Sequence, residues 1–282
     1  MLRVPDRPVL ATTVGVLKSL QHSITLLPDY SDRVNAAIAA WNSKTSSKAK
    51  SEAFQDIRKT LALMCVGPIR CAYCEDSLAD EIEHIKPKSF FPEFTFSWSN
   101  YLYSCGPCNG PKGNRYGAVN GGRVEEFVRK KGDPLVPPPA GPSALVDPRA
   151  DDPLDFLDLD LGGVAPDGAL FAGTFLILPR EGSHPELQAR AEFTIEVLGL
   201  NREVIRAARA NAFGGFRARL REYVSEKLGG ASPDRLEALK ADILGTPHLT
   251  VFAEMRRQKN FLPMIRSLFD DAPETEGWPL VP

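Results

Sequence analysis

Two short stretches, Cys71-Ala-Tyr-Cys74 and Cys105-Gly-Pro-Cys108, decide how this chain is read, because each presents two thiols on one tight loop. Zinc takes four soft ligands in a tetrahedron, and two such loops supply all four at little entropic cost. One C-x-x-C pair alone would be weak evidence. Two pairs, each in a turn-prone context, point to Cys71, Cys74, Cys105 and Cys108 as a structural zinc site. With every coordination position taken by sulfur, that zinc has no vacancy for substrate and is scaffold. The fifth cysteine, Cys65, lies in the apolar run Leu61-Ala-Leu-Met-Cys65-Val66 and reads as a buried, inert thiol.

Between and just after the pairs lies a second metal-competent set: Glu81-Ile-Glu83-His84-Ile-Lys-Pro87, Trp98-Ser-Asn100 and Asn109-Gly-Pro-Lys112-Gly113. A carboxylate and an asparagine amide oxygen are hard donors suited to Mg²⁺ or Mn²⁺, and the imidazole beside them is left free as a base. Phosphodiester hydrolysis needs that combination: a divalent ion to neutralise developing charge, and a base to take a proton from water. Two glutamates compete for the ligand position. Strand alternation places Glu81 and Glu83 on one face and His84 on the other, so a local bend is needed to bring Glu83 and His84 together.

In this order, and flanked by the cysteine pairs, these residues resemble the HNH endonuclease family over residues 71–115. The resemblance implies a ββα-metal fold. It implies His84 as general base, Glu83 where the family has a metal-binding Asp or His, Asn100 bracing the loop that orients the base, and Asn109 as the second protein ligand. Lys112 then fits the family's basic residue near the phosphate. Glu83 is one methylene longer than Asp, so its carboxylate must fold back to hold the same geometry. Products with 5′-phosphate and 3′-hydroxyl ends are implied by the same likeness. More widely, the chain is similar to the HNH (PtuB-like) subunits of Septu-type and retron-associated anti-phage systems, which work with a PtuA-like ABC-class ATPase. That likeness rests on the helical lead and on two further stretches, Leu145-Val-Asp147-Pro-Arg149-Ala-Asp-Asp152-Pro and Thr194-Ile-Glu-Val-Leu-Gly-Leu-Asn201-Arg202.

The fold class expected is α+β and mainly helical: a zinc-stapled nuclease core with a helical N-terminal lead and a helical C-terminal region. Residues 1–70 form the lead, with helices near 32–42, capped by Ser31, and 51–64. Residues 71–133 form the core, and the proline-rich residues 134–146 a stiff connector. In residues 147–282, a small antiparallel sheet over 155–178 precedes helices at 185–198, from an Asn201 cap to 227, at 233–244, and at 249–269 with a kink at Pro263. This last region offers a partner-docking surface.

Over its 282 residues the chain carries a net charge of only −2, but the average hides a local asymmetry. Residues 84–131 hold eight basic against three acidic side chains, whereas residues 147–160 hold six aspartates against Arg149. Lys86, Lys88, Lys112, Arg115, Arg129, Lys130 and Lys131 are therefore expected to hold a DNA backbone without reading sequence. No apolar run is long enough to span a bilayer and no apolar signal core opens the chain, so a cytoplasmic location is the expectation. The rival reading is a zinc-stabilised nucleic-acid-binding or adaptor subunit with no catalysis of its own.

Overall fold

The computed structural model describes residues 1–165 and 167–280. Three helices open the chain: α1 (Ala11–Thr25), α2 (Tyr30–Asn42) and α3 (Lys48–Leu63). The third begins in the polar Ser/Lys stretch because Ser47 accepts from the Lys50 amide, a cap worth about 1 kcal/mol. It buries Phe54, Ile57 and Leu61 as their helical spacing requires. The second starts two residues earlier than expected, after Asp29, and Ser31 does not cap it.

The centre of the molecule is an antiparallel pair followed by a short helix: β1 (Glu81–His84), β2 (Tyr101–Ser104) and α4 (Gly106–Lys112). Against this unit pack α3 from one side and α5 (Pro185–Leu198) from the other. A second hairpin, β3 (Tyr116–Asn120) and β4 (Arg123–Phe127), lies on α5. Its signal is Asn120-Gly-Gly: Gly121 and Gly122 both hold positive φ, as a two-residue hairpin turn of matching twist requires. The proline-rich segment does not run free, since Pro142 O accepts from Val119 N and Ala144 N donates to Gly117 O along the edge of β3.

The expected small sheet is a long hairpin in two sections, β5 (Leu157–Leu159) with β8 (Ile177–Pro179) and β6 (Gly162–Val164) with β7 (Leu170–Ala172). The helical remainder comprises α5, α6 (Glu203–Leu228), α7 (Pro233–Leu244), α8 (Leu249–Arg257) and α9 (Pro263–Asp271). Gly214-Gly215 does not interrupt α6. Pro263 opens α9 instead of kinking one long helix, because its missing N–H is harmless in a first turn. Asn201 is not the cap of α6; its side chain bonds both N and O of Ile177 and ties the helix approach to β8. One contiguous apolar core draws on residues from the N-terminal lead through Trp278. Among the described residues, no helix is long and apolar enough to cross a membrane.

Candidate metal centre and active site

The β1–β2 register assembles the cysteines. Beyond the strand ends the pairing continues, with Ala72 N on Tyr103 O and Asp80 N on Ser104 O, so the first cysteine loop lies against the second. Cys71 O accepts from Glu75 N to close the first loop, and Cys105 O accepts from Cys108 N and Asn109 N as α4 begins. The four sulfurs then lie within 4.8 Å of one another, all buried, with none in a disulfide. Cys74 Sγ and Cys105 Sγ are 3.8 Å apart. A tetrahedron with Zn–S bonds of about 2.3 Å has edges of about 3.8 Å, so the donor set fits zinc. Four thiols this close share protons: contact with Cys105 pushes Cys71 up and Cys74 down, and a cation among them removes that conflict.

Arg202 completes the shell, donating to Cys108 Sγ at 3.3 Å and to the Pro107 carbonyl. The two stretches that carry the wider likeness, residues 145–153 and 194–202, make the contacts that hold this part of the chain in place. Thr194 Oγ1 accepts from the buried Val146 amide, and Arg149 donates to the Trp98 and Tyr101 carbonyls at 2.5 and 3.0 Å. Both motifs clamp the C-terminal region onto the cysteine loops and β2.

Strand β1 presents two different faces, as alternation demands. Glu81 and Glu83 face α4. Asn109 Nδ2 donates to Glu81 Oε2 at 2.6 Å, and the Lys112 ammonium contacts Glu83 Oε1 as an ion pair while donating to His84 O at 2.8 Å. Lys112 is 1% exposed and Glu83 4%, so this pair is removed from water. Burial pushes the Glu83 carboxyl above its usual range, with Lys112 opposing. Of the expected ligands, Glu83 faces α4 and Asn109 lies on it, but they engage different partners. A Mg²⁺ ion that keeps several waters needs only one or two protein carboxylates. Among the described residues, the cysteines are the only cluster of three or more His, Cys, Asp or Glu ligands.

His84 faces the other way, into an aromatic nest. Its ring meets Trp41 edge-on at 4.2 Å and Tyr101 at 5.3 Å. His84 Nε2 lies 3.0 Å from the Thr95 carbonyl, which also accepts from the Tyr101 hydroxyl at 2.8 Å. A carbonyl can only accept, so Nε2 carries the proton and Nδ1 keeps the lone pair. Burial, reinforced by the Lys88 charge, pushes the imidazole pKa down to about 3, leaving it neutral near pH 7. Asn100 does what a brace must: Oδ1 accepts from Lys86 N at 2.7 Å, and Nδ2 donates to the Lys86 and Phe94 carbonyls at 3.0 Å each. It pins both ends of the loop that carries Thr95.

The basic residues divide. Arg115 is engaged by Glu126 and Glu196, and Arg129 donates to Ser89 O and Val136 O while stacking on Phe90, so both are structural ties. Lys130 and Lys131 stay exposed on the segment after β4. Lys86 lies 4.3 Å over Phe94 and Lys88 5.7 Å from Trp41, neither with a carboxylate in reach among the described residues. Trp41, Thr95 and Tyr101 were not legible as site residues in the sequence. Only Trp41 carried a signal, as an apolar residue on the inward face of an amphipathic helix.

No family model matches this chain. The Septu protein PtuB of Bacillus thuringiensis is 41% identical to it over 58 residues, which cover 19% of this chain and 23% of that protein. The match spans less than a quarter of the relative's length, and it supports a Septu-like relationship for part of this chain.

Proposed function

We propose that this chain is an HNH-type endonuclease that hydrolyses DNA phosphodiester bonds as the effector of a Septu-like anti-phage system. The observation that carries the reading is the seat of His84. The Thr95 carbonyl fixes the tautomer and Asn100 fixes the Thr95 loop, so the lone pair stays on Nδ1. That is the state a general base must hold before it takes a proton. Strand–strand–helix order supports the ββα-metal reading, and because Glu81 and Glu83 lie on the face of β1 opposite His84, a local bend of the strand is needed to bring ion and base to one phosphate.

Glu83 and Asn109 are assigned as the protein ligands of a divalent ion, Mg²⁺ or Mn²⁺, with Glu81 the alternative carboxylate. When bound, such an ion neutralises charge on the phosphate and lowers the pKa of water. The chain's own part is positioning: His84 accepts the proton at Nδ1, Lys112 holds Glu83 and the His84 backbone in place, and the cysteine-held zinc fixes β2 against α4. Lys86, Lys88, Lys130 and Lys131 hold the DNA backbone. A PtuA-like ABC-class ATPase is the partner that the Septu likeness suggests, with the cytoplasm as the setting.

The test is nicking of plasmid DNA with Mg²⁺ or Mn²⁺ by the wild type and His84→Ala, alone and with a PtuA-like ATPase, folding checked on both. Cleavage by the wild type only is expected. No cleavage by either removes the nuclease reading; equal cleavage removes only the base assignment. One observation favours the rival, a zinc-stabilised nucleic-acid-binding or adaptor subunit: the closed Glu83–Lys112 pair is what a chain without catalysis would retain. Tight DNA binding in the absence of any cleavage is its signature.

A further inference from the structure

The helical lead does more than cover the core. The last turn of α2 delivers Trp41 to the His84 ring, and the turn that follows folds Lys44 back over the same indole, its ammonium 4.5 Å from the ring centroid and 3.4 Å from Trp41 O. Lys88, just beyond Pro87, places its ammonium 5.7 Å from that centroid and close enough to feel the Lys44 charge. Two cations from distant parts of the chain therefore share one ring whose edge touches the candidate base.

Neither cation forms an ion pair among the described residues, and both are half-buried. Burial pushes both ammonium groups below the usual lysine range; Arg58 adds to this at Lys44, while at Lys88 Glu83 offsets part of it. Like charges drawn together and partly dried, sharing one indole face and the single Trp41 carbonyl contact of Lys44, cost free energy unless an anion joins them. Lys112 adds a third charge to the same field at His84. Surface lysines that merely solubilise a protein point away from one another into water.

We propose that Lys44 and Lys88 form a two-ammonium seat for a DNA backbone phosphate beside His84, with Trp41 as its floor. The inference rests on the nuclease reading for its ligand, and it makes the N-terminal lead part of the substrate cleft. An ammonium pair suits a phosphodiester because it is a point-charge contact, indifferent to base sequence.

The experiment is anisotropy of a labelled 20-bp duplex in EDTA, where nothing is cut, across a salt series. The full chain is compared with Lys44→Gln, Lys88→Gln, Lys44→Arg and, as control, Lys240→Gln on α7. Each seat variant should weaken binding about threefold to tenfold and lower the slope of log affinity against log salt by about 1. Lys44→Arg should keep wild-type affinity and the control should change neither. Wild-type affinity and slope in Lys44→Gln, or no duplex binding by the wild type, overturns the seat. The two readings fail separately. Loss of slope in a chain that never cleaves leaves the seat and removes the nuclease, whereas cleavage with an unchanged slope does the reverse.

Discussion

Replacing Lys112 by Met tests whether the buried pair beneath β1 is as costly to break as its geometry implies. Lys112 is 1% exposed, contacts Glu83 Oε1 and donates to His84 O, so Met fills the space but leaves a carboxylate and a carbonyl unpartnered. Breaking a buried pair costs about 3–5 kcal/mol. Glu83 has an escape, however: it can take up a proton, which caps the penalty at the cost of protonation. From an unfolded pKa of about 4.3, that cap is roughly 4 kcal/mol at pH 7 and about 1 kcal/mol at pH 5. The sign follows. In the variant the folded pKa of Glu83 lies above the unfolded one, so the folded state gains protons and recovers stability as pH falls. Guanidinium unfolding should show a loss of about 3–4 kcal/mol at pH 7 that shrinks to about 1–2 kcal/mol at pH 5, the residue being the orphaned His84 carbonyl. Glu83→Gln combined with Lys112→Met should recover most of the pH 7 loss. A loss below about 1 kcal/mol, or one equal at both pH values, refutes the reasoning.

Metal analysis should find one zinc per chain, and chelation or Cys105→Ser should abolish cooperative melting of the core; full activity and cooperativity without zinc would refute the scaffold role. Arg202→Ala should weaken zinc retention roughly tenfold to a hundredfold in competition with a chelator, since it removes the donor to Cys108 Sγ; unchanged retention confines Arg202 to packing. His84, with its folded pKa near 3 and an unfolded value near 6.5, stabilises fully above pH 6.5 and progressively less towards pH 3. The wild type should therefore lose about 2 kcal/mol between pH 7 and pH 5 that His84→Gln does not lose; parallel pH curves would show the imidazole to be wetter than its nest implies.

What the sequence made legible was local. Cysteine spacing, helix-period apolar faces and capping residues act within a turn or two, and they located the metal loops, α3, α5 and α7 to within a few residues. Alternation along β1 also anticipated that Glu83 and His84 face opposite ways. What it hid depends on which side chain arrives from far away. Asn201 looked like a helix cap because caps and cross-chain clamps use the same amide, and only tertiary placement chose Ile177 over the helix. Arg115 and Arg129 counted as free charge until Glu196, Ser89 and Val136 met them in three dimensions. The β3–β4 hairpin was announced by Asn120-Gly-Gly but lay amid turn-rich sequence that a metal-held region would also produce.

The two faces of β1 explain why the site needs more chain than its motif. Residues 71–115 contain every resemblance to the nuclease family, and they complete the α4 face, where Glu81 meets Asn109 and Glu83 meets Lys112, but supply only Thr95 and Tyr101 to the seat of His84. The opposite face, where His84 lies, is closed by Trp41, and Trp41 is held in turn by Phe54 and Phe96 at 5.5 and 6.0 Å. Without the lead the His84 ring would meet water, its pKa would return towards the ordinary imidazole range, and Lys88 would lose the ring it shares with Lys44. The helical lead is therefore part of the electrostatics of His84. A core cut at residue 71 would keep its zinc ligands and both glutamates while losing the environment that sets His84.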